Sequence, residues 1–183
     1  MVRSNKIRRL VKALLEEHDV RGPPVPVEKI AKSLGAWVRQ SPLDDELSGM
    51  IYIKGSTPII GVNSLHHPNR RRFTIAHEIA HLQLHKNSII DQVHVDRKFP
   101  VLMRDAIPGL KRDANSATGM ERMEIEANQF AAELLMPSSL LIKMLEKEKF
   151  DIDDEGPLEG LAKKFRVSKQ ALEFRIRNMQ SFH

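Results

Sequence analysis

Ten residues near the middle of the chain, HEIAHLQLHK (77–86), place three histidines and a glutamate among aliphatic side chains. Phe73, Ile75, Ala76, Ile79, Ala80, Leu82 and Leu84 make the helix they predict apolar almost all the way round. Such a helix belongs between other elements, not on a surface. Ionisable groups there are costly to desolvate unless something compensates them, and a metal ion does so. Residues four apart on a helix lie one above the other, so His77 and His81 can offer imidazole nitrogens to one ion. Glu78, turned about 100° from His77, need not be a ligand and can act on water held at the ion. This is the H-E-x-x-H arrangement of zinc-dependent proteases. The chain has no cysteine, so every ligand must be His, Asp or Glu.

A catalytic zinc takes three protein ligands and keeps one position open. His85 follows His81 by four residues, but it would lie about 12 Å from His77 along a straight helix. It reads instead as a helix-end cap, a contact behind a ligand, or an exposed residue. No HExxHxxGxxH continuation is present. The third ligand is therefore sought in EIEANQFAAELLMP (124–137). On a helix, Glu124 shares a small, apolar face with Ala127, Asn128, Ala131 and Leu135, suited to close packing on another helix. Glu126 falls with Arg122, Gln129 and Glu133 on the side expected to be solvated. Glu124 is the expected ligand; the competing reading is an interhelical salt bridge. Asn128, one turn on, is placed to orient Glu124 or a histidine, or is a plain packing amide.

The elements that must position these groups are read from periodicity and breakers. Residues 5–18 predict a first helix, with Ile7, Leu10, Val11, Leu14 and Leu15 at helical spacing. RGPPVP (21–26) is a stiff break, and VEKIAKSLG (27–35) a short helix stopped by Gly35. Three strands are expected at 36–40, 49–55 and 58–63, the last two joined as a hairpin through GST. Residues 87–119, interrupted by Pro100, Pro108 and Gly109, predict a long irregular loop. Helices are expected at 120–137, at 138–148 with a serine cap, and as a final pair at 158–165 and 168–179.

The blocks RRRFTIAHEIAHLQLH and EIEANQFAAELLMP strongly resemble the ImmA/IrrE family of zinc metallopeptidases. VPVEKIAKSLG, LSGMIYI with IIGVN, and LEGLAKKFRVSKQALEFRI resemble further parts of it, so the likeness spans about residues 10–178. It implies an α+β, zincin-like fold with helices on a small three-stranded sheet. The expected layout is a metallopeptidase domain over 1–150 and a helical hairpin over 151–183, packed on it or appended to it. The resemblance also implies Zn2+ held by His77, His81 and Glu124, with Glu78 as catalytic base. The implied substrate is a protein, typically a helix-turn-helix repressor whose destruction switches on stress-response or mobile-element genes. A component of a toxin–antitoxin or phage module is the alternative within the family.

The expected reaction is hydrolysis of a peptide bond, Glu78 taking a proton from water and delivering it to the leaving amine. Its oxyanion needs a further donor, for which Tyr52, His94 and Arg104 remain equal candidates. A peptide could bind as an added strand at an exposed edge offered by GMIYIKG (49–55). The closing segment also resembles a helix-turn-helix, with Ser168 capping the second helix and Lys169, Gln170, Arg175 and Arg177 as reading residues. Direct DNA binding through residues 158–179 is thus a second reading, weighed against a hairpin that packs the enzyme's back. A metal-sensing regulator without proteolysis is a third, though a purely structural zinc site has no use for Glu78. The net charge of +5, from 29 basic and 24 acidic residues, reads as a solvated surface. The amino-terminal residues carry charge throughout and no run approaches a membrane span, so the expectation is a soluble, cytoplasmic protein without membrane partners.

Overall fold

The computed structural model describes residues 2–89, 93–97, 117–146 and 156–180. The element order is α1 (Val2–Glu17), α2 (Val27–Ser33), β1 (Trp37–Ser41), β2 (Leu47–Lys54), β3 (Thr57–Asn63), α3 (Pro68–Leu84), α4 (Lys86–Ile89), β4 (Val93–Arg97), α5 (Ala117–Leu135), α6 (Ser138–Leu145), α7 (Gly156–Phe165) and α8 (Lys169–Gln180). The class is α+β, as expected.

β2 and β3 form the expected antiparallel hairpin, turned at Gly55 in the left-handed region (φ +64°). β1 lies parallel to β3. The three expected strands are joined by a fourth, β4, which pairs antiparallel with β2 and gives the order β1-β3-β2-β4. β4 and α4 arise where an irregular loop was expected; five and four residues are too few to show a period. Because β4 covers β2, GMIYIKG is interior and not the exposed edge expected of it; the outer strands are β1 and β4.

Alternation along β2 and β3 turns Ile51, Ile53, Ile60 and Val62 to the buried face. Against that face lies α3, with Ile75, Ala76, Ile79 and Ala80 all fully buried. α5 packs on α3 through a side rich in Ala127, Phe130, Ala131, Leu134 and Leu135. α1 then covers α5 with Ile7, Val11 and Leu14. α3 is therefore the middle of a stack, which explains its all-round apolar sequence. Each fully buried Ile, Leu or Phe contributes roughly 1.5–3 kcal/mol relative to exposure.

The contact between β2 and α3 is unusually close. A Cβ at Gly49 would run into the Thr74 methyl and come within 2.9 Å of the Gly61 carbonyl oxygen. Glycine is what lets the sheet lie against the helix there.

At the other end of α5, Glu133 is buried (7% exposed) and receives the Arg175 guanidinium of α8. Arg175 also donates to Ser138 Oγ at 2.8 Å and to the Met136 carbonyl at 3.3 Å. This overturns two expectations. Glu133 is not on a solvated side, and Arg175 is turned into the protein, where it cannot read DNA. Ser138 spends its amide and hydroxyl on Glu133 instead of capping α6. Ser168 does cap α8, accepting from the Ala171 amide at 3.1 Å.

Candidate metal centre

α3 begins at Pro68, whose fixed φ suits a first helical position, with His67 Nδ1 accepting from the Asn69 amide at 3.2 Å. From that start, His77 and His81 fall on the side of α3 that meets α5. Their Nε2 atoms lie 3.0 Å apart. Glu124 of α5 brings Oε2 to 3.1 Å from His77 Nε2 and Oε1 to 3.3 Å from His81 Nε2. One ligand atom from each of the three residues lies within 4.8 Å of the others. Both histidines are buried and Glu124 is 26% exposed, so the group meets solvent on the Glu124 side.

The contacts behind the rings are satisfied by one assignment of neutral tautomers. Asn128 Oδ1, on the same helix as Glu124, accepts from His77 Nδ1–H at 3.0 Å. With the proton on Nδ1, Nε2 carries a lone pair. On the other ring, His85 Nε2–H donates to Glu126 Oε2 at 3.2 Å, which leaves His85 Nδ1 as an acceptor. It accepts from His81 Nδ1–H at 3.2 Å, so His81 Nε2 also carries a lone pair. Two imidazole nitrogens and a carboxylate therefore converge at hydrogen-bond distances. Two neutral imidazoles and one carboxylate are a donor set for a divalent cation, so the residues present fit a metal.

Asn128 meets a histidine, His77, one of the alternatives read from sequence. One placement goes beyond those expectations. Glu126 is not on a solvated side: it is 17% exposed and holds His85, which in turn holds His81. The spacing of His85 from His81 was the visible signal, but it identifies a partner only once α5 is laid antiparallel to α3.

Glu78 is fully buried and is not one of the three converging groups. Its carboxylate lies toward β2, where a Cβ at Gly49 would stand 3.4 Å from Oε1. Of the oxyanion candidates, Tyr52 belongs to the other face of the sheet: Gly49, Ile51 and Ile53 face α3, and Tyr52 alternates away with half-exposed Ile59. That position removes it from the site. His94 is in β4, in register with Ile51. Arg104 lies outside the described residues.

No curated protein matches the chain. Among solved structures, a Mycobacterium tuberculosis transcriptional regulator superposes with a TM-score of 0.61 at 19% identity. That match covers 92% of this chain and 45% of the other, so the chain spans less than half of the regulator's length. At that identity the likeness concerns the fold alone. The model of the IrrE N-terminal-like domain, peptidase family M78, matches residues 31–177. The match takes in the sheet, both helices of the candidate metal centre, α7 and most of α8, and the chain belongs to this family.

Proposed function

We propose that the protein is a zinc-dependent endopeptidase acting on a protein substrate. The observation that carries this is the convergence of two imidazole nitrogens and the Glu124 carboxylate, with a second, buried carboxylate one residue along α3. A zinc ion, when bound by His77, His81 and Glu124, supplies Lewis acidity toward a peptide carbonyl and makes water more acidic. The chain's own groups do the rest. Asn128 and the His85–Glu126 pair fix the imidazole rings and their tautomers. Glu78 takes the proton from the attacking water and hands it to the departing amide nitrogen. Burial strengthens both transfers by excluding bulk water.

An extended substrate would align on the outer edge of β4, since β2 already has partners on both sides. Residues 1–150 are proposed as the catalytic unit and 151–183 as a hairpin docked on it, with Arg175 as the tie to α5. That inward role of Arg175 also disfavours DNA reading by α8. Among the described residues no helix is long and apolar enough to cross a membrane.

The proposed target is a helix-turn-helix repressor, a reading that rests on family membership. The experiment is direct: zinc-loaded protein is incubated with repressors encoded nearby, and products are mapped by mass spectrometry beside Glu78→Gln. A discrete cut made by wild type and absent with the variant supports hydrolysis. Zinc bound stoichiometrically with no cut, and biological activity preserved in Glu78→Gln, would favour a metal-sensing role.

A further inference from the structure

A cavity of about 770 Å³ lies between the amino end of α3 and the α7–α8 turn. Its floor is apolar, formed by Phe73, Ala162, Val167 and Ala171. Its rim is basic: among the described residues, Arg70, Lys163, Arg166 and Lys169 line it against one acid, Glu159. Lys169 has a partner in Glu173 at 3.9 Å. Arg70 donates to a neutral group, Ser48 Oγ, at 2.9 Å. Among the described residues, no carboxylate forms an ion pair with Arg70, Lys163 or Arg166.

We infer that this cavity docks a segment of the protein substrate that carries acidic side chains around an apolar one. The inference rests on the peptidase reading for its purpose, and on charge and shape for its chemistry. Arg70, Lys163 and Arg166, which pair with no carboxylate among the described residues, stand around an apolar hollow and match a ligand with both properties. The cavity also adjoins the metal centre. The Phe73 ring forms part of its floor and stands 6.4 Å, centroid to centroid, from the His77 ring. A segment seated there would be held about two helical turns from the ligands. The electrostatics agree: the buried Arg72 guanidinium is held below its ordinary value mainly by burial, opposed by Glu28, and further by the charge of Arg166. An anion beside Arg166 would relieve that repulsion.

A nucleic acid fits less well. Its backbone offers charge without an aliphatic group for the floor, and base reading needs α8 side chains in a groove. Arg175 of that helix is committed to Glu133.

The test is binding, read apart from catalysis. Three labelled short peptides serve as probes: a phenylalanine flanked by glutamates, the same with lysines, and the glutamate peptide with glycine for phenylalanine. Fluorescence anisotropy with the zinc-loaded protein should show the first binding about tenfold more tightly than either other. Lys163→Glu with Arg166→Glu, both exposed, should abolish the preference, and the milder Lys163→Gln with Arg166→Gln should halve it or more. The same charge reversal at exposed Arg9 and Lys12 of α1 should leave it intact. Equal loss from the α1 pair would reduce the effect to diffuse attraction and overturn the assignment. So would an unlabelled DNA duplex that displaces the peptide and itself loses affinity on the cavity reversal. Hydrolysis of the same peptides separates the two claims. Tight, charge-dependent binding without cleavage leaves the cavity assignment standing and counts against the peptidase. Cleavage indifferent to charge does the reverse.

Discussion

Replacing His85 should weaken zinc binding although His85 cannot touch the ion. His81 Nδ1–H donates to His85 Nδ1 at 3.2 Å, and His85 Nε2–H donates to Glu126 at 3.2 Å. His85→Ala removes the acceptor that keeps the His81 proton on Nδ1. The ring can then turn, or carry its proton on the nitrogen that should bind metal. Contacts of this kind are worth about 10–100-fold in metal affinity, or about 1.4–2.7 kcal/mol. Glu126→Gln should cost less, toward the lower end of that range, because an amide oxygen still accepts from His85 while the charge is lost. The Arg122–Glu126 pair adds little to this, as Arg122 is 62% exposed. Glu124→Ala removes a proposed ligand outright and should cost more than either. The assay is competition for zinc with a chromophoric chelator at fixed pH, with thermal melts of the metal-free variants as the folding control. The decisive measurement is the double variant. In this relay Glu126 acts on His81 through His85, so adding Glu126→Gln to His85→Ala should cost nothing further. Additive losses would show that the two residues act separately, and wild-type affinity in His85→Ala would remove the relay altogether.

Three further outcomes follow from the same geometry. Glu78→Gln should keep its zinc and lose hydrolysis by roughly 10²–10⁴-fold; retained turnover at full metal content would end its assignment as base. Gly49→Ala should destabilise by about 1–3 kcal/mol through overpacking, since the new methyl meets Thr74 and the Gly61 carbonyl. Thr74→Ser, by deleting the methyl group, should restore part of that in denaturant titrations; an unchanged midpoint in Gly49→Ala would refute the close approach. Arg175→Met strands the buried Glu133 carboxylate and should cost about 3–5 kcal/mol, largely recovered by adding Glu133→Gln. Lost DNA affinity with undiminished stability would place Arg175 outside instead.

The parts of the site legible in sequence are those fixed within one helix. His77, Glu78 and His81 are related by about 100° steps, and no tertiary fact is needed to see that two share a face. Glu124, the expected ligand, follows from the same geometry on α5, and its carboxylate does meet both histidines. The reasoning failed for Glu126 and Glu133 for one physical reason. It assumed a single buried side, whereas α5 is covered by α3 along one flank, by α1 along another and by Arg175 near its end. A polar residue on such a helix can be buried if a partner from afar satisfies it, and that partner leaves no local trace. The sheet shows the same division. Alternation in GMIYI already separates Tyr52 from Ile51 and Ile53, so its distance from α3 was available from the strand alone. The covering of β2 by β4 was not, because VHVDR is too short to announce itself and gains its strand character from pairing. Gly49 is the sharpest instance. In sequence it only weakens a strand; in the fold it is where β2 comes close enough to α3 to lie against Thr74 and the Glu78 carboxylate. The placing of the proposed base thus depends on the one residue of β2 that has no side chain.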